Sequence, residues 1–250
     1  MNEREAAGAA TIADDIRRAK TLPILALAKQ ILRPRTSQLD GLRIVTARSE
    51  MPRRQARPIY KGTYEAPERA IVRRLLVPGD RVLEGGACLG VVSMIAARIV
   101  GPENIVSYEP FPRSFALLQK NLQLNNLPVR CVQGALAAES GTIRFYVSDN
   151  PLGNSSIARD GKSVIEVAAH GIVEAAAEIS ANALLLDIEG AEIDVIAAAP
   201  LQQFDKISME VHPAVTGEDV IRDMRQLLRQ NGLEEVPALS YDRTYTFLRR

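Results

Sequence analysis

Two pairs of polar residues, each spaced by two positions, have side chains suited to moving a proton. Asp187 and Glu189 follow a short run of leucines, and Glu210 and His212 end the next apolar run along the chain. Imidazole titrates near neutral pH, so His212 is the predicted general base. Side chains two apart on a strand share a face, so Asp187 and Glu189 are expected to point together. We predict catalytic roles for His212, Asp187 and Glu189, and substrate contacts for Glu189 and Glu210.

A glycine-containing loop after an earlier apolar run predicts a nucleotide-like ligand. It reads Glu84-Gly85-Gly86-Ala87-Cys88-Leu89-Gly90. Its glycines permit a sharp turn and close approach of a ligand at a strand's carboxyl end. The acid Glu84 disfavours a pyrophosphate, yet it can face a positively charged sulfonium. Glu109, at the end of the next strand, can accept hydrogen bonds from ribose hydroxyls, a role that NAD sites share. The predicted cofactor is therefore S-adenosyl-L-methionine, with NAD as the alternative, and its predicted contacts are Glu84, Gly86, Ala87, Gly90, Glu109 and Asp187.

The acidic residues raise the question of a metal ion. Asp187, Glu189, Glu210 and His212 offer oxygen and nitrogen ligands that could hold a hard divalent cation. Clusters of acids that only line a site are more common, so we predict no metal. The polar loop at Asn154 and Ser155 is predicted to contact the substrate, although ordinary loop chemistry explains such residues almost as well.

Alternating strands and helices are predicted to position these groups. From Glu65 onward, short apolar runs alternate with helix-periodic segments, including a helix at 91–100 after the glycine loop. This β-α-β-α-β order favours a parallel sheet with helices on both faces. Residues 61–250 are predicted as this α/β domain, ending in an edge strand at 244–248. Residues 1–60 are predicted as a basic arm, with helical spacing at 11–32 and a loose connector at 33–58.

Charge and composition limit the choice of partners. Residues 1–60 hold 12 basic and 6 acidic residues, against 19 and 24 in the rest of the chain. Such an arm could touch a membrane surface, an acidic substrate or a partner, and it could pair subunits into a homo-oligomer. The apolar stretch 22–32 is too short to cross a bilayer, which needs ~20 residues. Two unpaired cysteines and no evident leader predict a reduced, cytoplasmic protein. Beyond Tyr60 and the nearby Tyr64, the arm has no aromatic residues for stacking bases, which argues against nucleic acid.

Several motifs resemble the FkbM-type methyltransferases. They are the stretch Pro78 to Gly90, Tyr108-Glu109-Pro110, Asn121-Leu122-Gln123-Leu124-Asn125, Asp187-Ile188-Glu189-Gly190-Ala191-Glu192 and Met209-Glu210-Val211-His212. The resemblance covers about residues 60–248. It implies a Rossmann-like, seven-stranded class I methyltransferase fold, S-adenosylmethionine as donor, and O-methylation of a small hydroxylated acceptor such as a sugar, glycolipid or natural product.

Three positions depart from that family's pattern. Glu84 stands where the family usually has Asp, Cys88 where it usually has Asn, and Leu185 where it commonly has Lys. These departures put the substrate class and the activity in question. Two other functions therefore stay open from the sequence: an NAD-linked oxidoreductase and a non-catalytic module that binds adenosylmethionine.

Overall fold

The structure, a computed structural model, describes residues 11–147 and 163–250, and the chain begins there with helices and a hairpin. These elements are α1 (Ile12–Ala19), α2 (Pro23–Leu32), β1 (Thr36–Leu39), β2 (Leu42–Val45) and α3 (Arg53–Lys61). The loose connector expected over 33–58 is wrong for this segment. Asp40 and Gly41 both have positive φ, 52° and 74°, and they form the turn of the hairpin. An Asp-Gly pair between two short runs is a known hairpin signal, and it was present in the sequence.

The rest of the described chain alternates strands and helices. In order, they are α4 (Ala66–Leu75), β3 (Val82–Gly85), α5 (Val91–Val100), β4 (Ile105–Tyr108), α6 (Pro112–Leu124), β5 (Arg130–Val132), β6 (Ala135–Ala137), β7 (Gly141–Val147), β8 (Ser163–Gly171), α7 (Ile172–Ile179), β9 (Ala183–Leu186), α8 (Glu192–Ala198), β10 (Lys206–Glu210), α9 (Pro213–Thr216), α10 (Glu218–Gln230), β11 (Leu233–Glu235) and β12 (Thr244–Arg249). Within the described ranges, no helix is long and apolar enough to cross a membrane.

The main sheet has seven strands in the order β11-β12-β10-β9-β3-β4-β5. All neighbouring pairs from β10 to β5 are parallel, while β12 runs antiparallel to both β10 and β11. The predicted mostly parallel, seven-stranded α/β fold is therefore confirmed. The edge position predicted for 244–248 is wrong, because β11 covers β12. The sequence of β11 is only Leu-Glu-Glu, and so short a charged segment lacks an apolar strand pattern.

Two apolar layers cover the two faces of the sheet. One contains side chains from α4, α5 and α6, and the other contains side chains from α7, α8 and α10. Leu42, Ile44, Met51 and Ile59 from the first segment are fully buried in the former layer. The segment before residue 61 thus supplies part of the packing around the sheet, and the domain division at residue 60 stays a prediction.

Two asparagines at the C-terminal end of α6, Asn121 within the helix and Asn125 directly after it, anchor the hairpin. Asn121 Oδ1 accepts a hydrogen bond from the Val45 N–H at 2.9 Å, and Asn125 Oδ1 accepts one from the Arg43 N–H at 2.8 Å. Asn121 Nδ2 also donates to the Leu89 carbonyl at 2.8 Å. Because Asn121 is fully buried, losing its side chain would leave several backbone groups unpaired. This asparagine therefore couples the hairpin to the glycine loop.

Candidate active site

The candidate site lies where the sheet reverses its strand order, between β3 and β9. The chain continues from β3 to β4 and β5 on one side, and β9 and β10 lie on the other. Ligands of open α/β sheets bind at the carboxyl ends of the strands at such a point. A cavity of about 210 Å³ is present there. Its walls include Tyr64, Glu65, Gly86, Cys88, Glu109, Phe111, Ser114, Leu136, Ile143, Asp187 and Glu189.

The glycine loop packs tightly against the loop after β9. Gly86 has φ 87°, and a Cβ at this position would lie 1.8 Å from the carbonyl oxygen of Asp187. Gly86 and Ala87 both donate backbone N–H groups to the Tyr108 carbonyl, at 2.9 and 3.0 Å. Gly90 begins α5 with φ 76°, and a Cβ there would lie 2.3 Å from Leu118. The two glycines are therefore required by contact as well as by conformation.

Glu109 faces the cavity with its carboxylate already oriented. Its two oxygens accept hydrogen bonds from the backbone N–H groups of Cys88 and Phe111, each at 2.8 Å. Burial raises the pKa of Glu109 to about 7, against the opposing effect of these two bonds. Such a fixed acceptor at the end of β4 matches the predicted contact with ribose hydroxyls, which stays a prediction.

Glu84 occupies a different place from Glu109. It is buried, and its Oε2 accepts hydrogen bonds from the hydroxyls of Ser93 and Ser107, each at 2.5 Å. Burial raises the pKa of Glu84. It lines a smaller hollow beside the main cavity, together with Asp187 and other acids. Neither serine is marked by a local sequence pattern, because Ser107 comes from a neighbouring strand and Ser93 from α5. Contact of Glu84 with the cofactor stays a prediction.

The loop after β9 does not continue the strand. The strand ends at Leu186, and Glu189 and Gly190 have φ of 56° and 111°. The expectation that Asp187 and Glu189 share a strand face is therefore wrong, because the strand geometry on which it depends is absent. Both side chains nevertheless line the cavity. The left-handed turn, rather than strand alternation, brings them together.

Glu192 holds this turn in shape. It is fully buried at the first residue of α8. Its carboxylate accepts hydrogen bonds from the Ile188 N–H at 3.1 Å and from the Gly190 N–H at 3.0 Å. A negative charge at a helix N-terminus is favourable, and here it also satisfies the loop's own donors. Glu192 therefore fixes the backbone that presents Asp187 and Glu189.

His212 lies among three carboxylates at the end of β10. Its Nδ1 is 3.5 Å from Glu192 Oε1, and its Nε2 is 3.6 Å from Glu189 Oε2 and 4.0 Å from Glu210 Oε1. Interaction with Glu192 raises the pKa of His212, and burial opposes that effect. Among the described residues, the imidazole ring of His212 does not line the cavity. It lies next to Glu189, whose side chain does line it. The predicted base is therefore next to the cavity rather than inside it.

One buried polar atom of this cluster, Asp187 Oδ1, has no hydrogen-bond partner among the described residues. Burial, reinforced by Glu210 and Glu189, raises the pKa of Asp187 well above its ordinary value. Glu210 is the better compensated acid, because Arg243 Nη2 lies 2.8 Å from its Oε1. Buried groups without partners are uncommon in folded proteins, so Asp187 Oδ1 is suited to meet a ligand.

A metal ion and two predicted contacts remain untested. Single ligand atoms of Asp187, Glu210 and His212 lie within 4.8 Å of one another, a spacing that fits a divalent cation. The absence of a metal from the working site stays a prediction. Asn154 and Ser155 lie outside the described residues.

The cavity wall also contains two residues that are not among the predicted site residues. Tyr64 and Glu65 lie between α3 and α4, and Glu65 has φ 44°. Burial raises the pKa of Glu65 to about 8. The buried Arg69 donates to the carbonyls of Tyr64 and Gly62 at 2.6 and 3.0 Å. Its Nε also lies 3.0 Å from Asp40 Oδ2 in the hairpin turn. An arginine in an apolar helical run was the available signal, since buried arginines are almost always paired.

Comparison with known proteins adds family information to this geometry. The sequence profile of the methyltransferase FkbM domain matches residues 84–234, more than half of the chain. The chain is similar to Methyltransferase 1 of Beauveria bassiana (strain ARSEF 2860), with 21% identity over 176 residues, covering 60% of this chain and 71% of that protein. It is also similar to Methyltransferase sdnD of Sordaria araneosa, with 28% identity over 112 residues, covering 43% of each protein. Among solved structures, M. jannaschii TYW2 in complex with AdoMet has 12% identity and a TM-score of 0.43, covering 86% of each chain.

Proposed function

The chain belongs to the methyltransferase FkbM domain family and is an S-adenosylmethionine-dependent methyltransferase, and from this premise we propose that it methylates a hydroxyl group of a small acceptor. Family membership decides against the NAD-linked oxidoreductase. The observation that carries the proposal is the position of His212, whose ring nitrogens lie 3.5–4.0 Å from three carboxylates beside the cavity. An alcohol is a poor nucleophile until it loses its proton, and this cluster is suited to accept one.

The residues of the cavity fit the cofactor. Glu109 offers an oriented carboxylate for the ribose hydroxyls, and Asp187 Oδ1 is a buried acceptor that lacks a donor among the described residues. Gly86 lines the cavity as well, and in this proposal Ala87 and Gly90 supply further main-chain contacts with the cofactor. Phe111, Leu136 and Ile143 supply apolar wall for a flat ring. When bound, S-adenosylmethionine supplies an electrophilic methyl group, so the protein must mainly align the acceptor and take its proton.

Different residues of the chain would bind the acceptor and accept its proton. Glu189 and Glu210 hold the acceptor's hydroxyl groups by accepting hydrogen bonds. His212 receives the reacting proton at Nε2, the nitrogen nearest to Glu189 and Glu210. The carboxylates that raise the pKa of His212 also stabilise the imidazolium ion that forms. Glu192 keeps the loop after β9 in position throughout.

A transfer assay with matched acceptors tests this proposal. The protein would be incubated with isotopically labelled S-adenosylmethionine and simple sugars, glycolipid head groups and hydroxylated polyketide-type compounds. Each acceptor would be paired with its deoxy or amino analogue. We expect the label on oxygen of at least one hydroxylated acceptor, as identified by mass spectrometry and NMR, and loss of transfer to its deoxy analogue. Label found on nitrogen or carbon instead would contradict the proposal.

A further inference from the structure

Helix α2 exposes its apolar side chains instead of burying them. Ala26 is its buried residue, and it packs beside α3. At 3.6 residues per turn, the side of the helix opposite Ala26 carries only aliphatic residues. Within the described ranges, six of the eleven exposed large hydrophobic side chains lie on or directly before this helix: Leu22, Ile24, Leu25, Leu27, Ile31 and Leu32, each more than half exposed. Monomeric soluble proteins rarely expose such a contiguous cluster without a binding role.

A basic hollow adjoins this apolar face. It has a volume of about 430 Å³ and is lined by Gln30, Ile31, Arg33, Arg48 and Arg53. Ile31 belongs to both the apolar face and the hollow, so the two are continuous. No acidic residue lines the hollow as described.

The three arginines of the hollow have few hydrogen-bond acceptors and no ion-pair partner among the described residues. Arg33 Nη2 donates to the Met51 carbonyl at 2.7 Å, but its buried Nε has no acceptor among the described residues. Arg48 and Arg53 form no ion pair within those residues. The sequence from Thr21 to Arg35 also contains no Asp or Glu. The hollow is therefore an uncompensated positive site that suits a phosphate group.

We propose that α2 and the arginine hollow together bind the surface of an anionic phospholipid bilayer. Aliphatic side chains enter the boundary between head groups and acyl chains, while the arginines meet lipid phosphates. A protein partner is less favoured, because α2 has no Tyr or Trp, the aromatic residues in which protein interfaces are enriched. This surface is separate from the residues that line the cavity, so the proposal does not depend on the identity of the methyl acceptor.

Vesicle binding of the whole chain tests the proposal. Co-sedimentation would compare vesicles of phosphatidylcholine alone with vesicles containing phosphatidylglycerol, at low and high salt. We expect binding to the anionic vesicles that weakens with salt. Ile24→Asp together with Ile31→Asp should lower the partition coefficient by about tenfold or more, because two charges then face the acyl region. Arg48→Gln with Arg53→Gln should lower it by about 25-fold, at about fivefold for each charge.

Matched controls lie on α7 and α10, where other exposed residues bear the same changes. Val173→Asp with Val220→Asp controls for added negative charge, and Arg222→Gln with Arg229→Gln controls for lost positive charge. Both controls should bind vesicles as the unchanged protein does. All variants should bind adenosylhomocysteine normally in calorimetry, which shows that the fold survives. Equal vesicle binding by the α2 variants and the controls overturns the proposal.

An introduced tryptophan reports the depth of insertion directly. The chain contains no Trp, so Leu25→Trp would be its only one. Its fluorescence should shift to shorter wavelength on anionic vesicles, while Val220→Trp should not shift. A second copy of the chain on α2 would instead give a concentration-dependent dimer, lost in Ile24→Asp with Ile31→Asp, and no vesicle binding. That result overturns the proposal. So does an absence of binding to all vesicles because another part of this chain covers α2.

Discussion

The two halves of the cavity differ in how many of their polar groups are hydrogen-bonded by the protein itself. On the side of the glycine loop, Glu109 is held by two backbone N–H groups, and Glu84 is held by two hydroxyls. On the side of the loop after β9, the buried Asp187 Oδ1 has no hydrogen-bond partner among the described residues, and several carboxylates lie close to one another. The carboxylates of the first half have hydrogen-bond donors without a ligand, whereas those of the second half lack such donors at Asp187 Oδ1.

This difference indicates which half binds the cofactor, which many enzymes share, and which half binds the acceptor, which differs between enzymes. A cofactor shared by many enzymes can be met by fixed main-chain geometry, which costs no reorganisation on binding. An acceptor and its moving proton need titratable groups whose charges are not already satisfied. The comparison predicts that changes in the first half will affect cofactor affinity, that changes at His212 and Glu210 in the second will affect turnover, and that changes at Asp187, where the halves meet, will affect both.

The largest effect is expected where the two halves touch. Gly86→Ala would place a Cβ 1.8 Å from the Asp187 carbonyl oxygen at φ 87°, so the two loops must separate. We expect loss of measurable adenosylhomocysteine binding, and a fall in the free energy of unfolding of about 3 kcal/mol or more. Calorimetry and urea unfolding measure the two effects.

Gly79→Ala is the matched control, because Gly79 has φ 95° with open space around its Cβ position. It should cost only the strain of the left-handed conformation, about 1 kcal/mol, with cofactor affinity unchanged. Equal effects of the two substitutions would show that conformation alone, and not contact between the loops, requires Gly86.

The next effect should separate the two halves. His212→Asn should lower kcat by about 100-fold or more, because His212 is the proposed acceptor of the proton from the hydroxyl group. Adenosylhomocysteine affinity should stay within about twofold of the original, since the cofactor half is unchanged. The control is His170→Asn, at the half-buried ring 5.3 Å from that of Tyr108. A His212 variant with normal kcat, or with a large loss of cofactor affinity, would break the comparison.

A smaller effect concerns pH. Burial raises the pKa of Glu109 to about 7, and the ionised carboxylate is the better acceptor for ribose hydroxyls. Adenosylhomocysteine affinity should therefore rise by about tenfold between pH 6 and pH 8, as the carboxylate loses its proton. Calorimetry at several pH values measures this rise. Glu109→Gln should bind weakly at every pH without that dependence, whereas Glu103→Gln, an exposed acid elsewhere, should keep it.

The smallest effect is expected from chelation. Treatment with EDTA and dialysis should leave methyl transfer within about twofold of the untreated rate, because the predicted site uses no metal. The measurement matters because Asp187, Glu210 and His212 have a spacing that suits a cation. A tenfold loss that added Mg²⁺ or Mn²⁺ restores would refute the metal-free site and assign these three residues as ligands.

Local sequence signals account for most of the sheet and for its cofactor half. The helix predicted at 91–100 is α5 as observed, because a glycine turn, an apolar period and Gly101 mark its ends. The acidic half was harder to predict. A left-handed residue at Glu189 replaced the expected strand, and a glutamate in a sequence gives no sign of a positive φ.

Weak local patterns and one long-range contact account for the remaining errors and omissions. The hairpin was overlooked because each strand has only four residues, and the first, Thr-Ser-Gln-Leu, contains a single apolar residue. Helix α7 was overlooked because its alanine-rich sequence has a weak polar face. The cavity position of Tyr64 and Glu65 depends on the buried Arg69 and on Asp40, 29 residues earlier in the chain, and local periodicity does not carry such a pairing.

The same arginine has an evolutionary consequence. The matched family profile begins at residue 84, yet Arg69 and Asp40 set the backbone that places Tyr64 and Glu65 in the cavity wall. The matched profile and this part of the cavity wall therefore lie in different stretches of the sequence. In evolution, substitutions before residue 84 can alter the wall at Tyr64 and Glu65 without any change in the residues of the glycine loop or of the loop after β9.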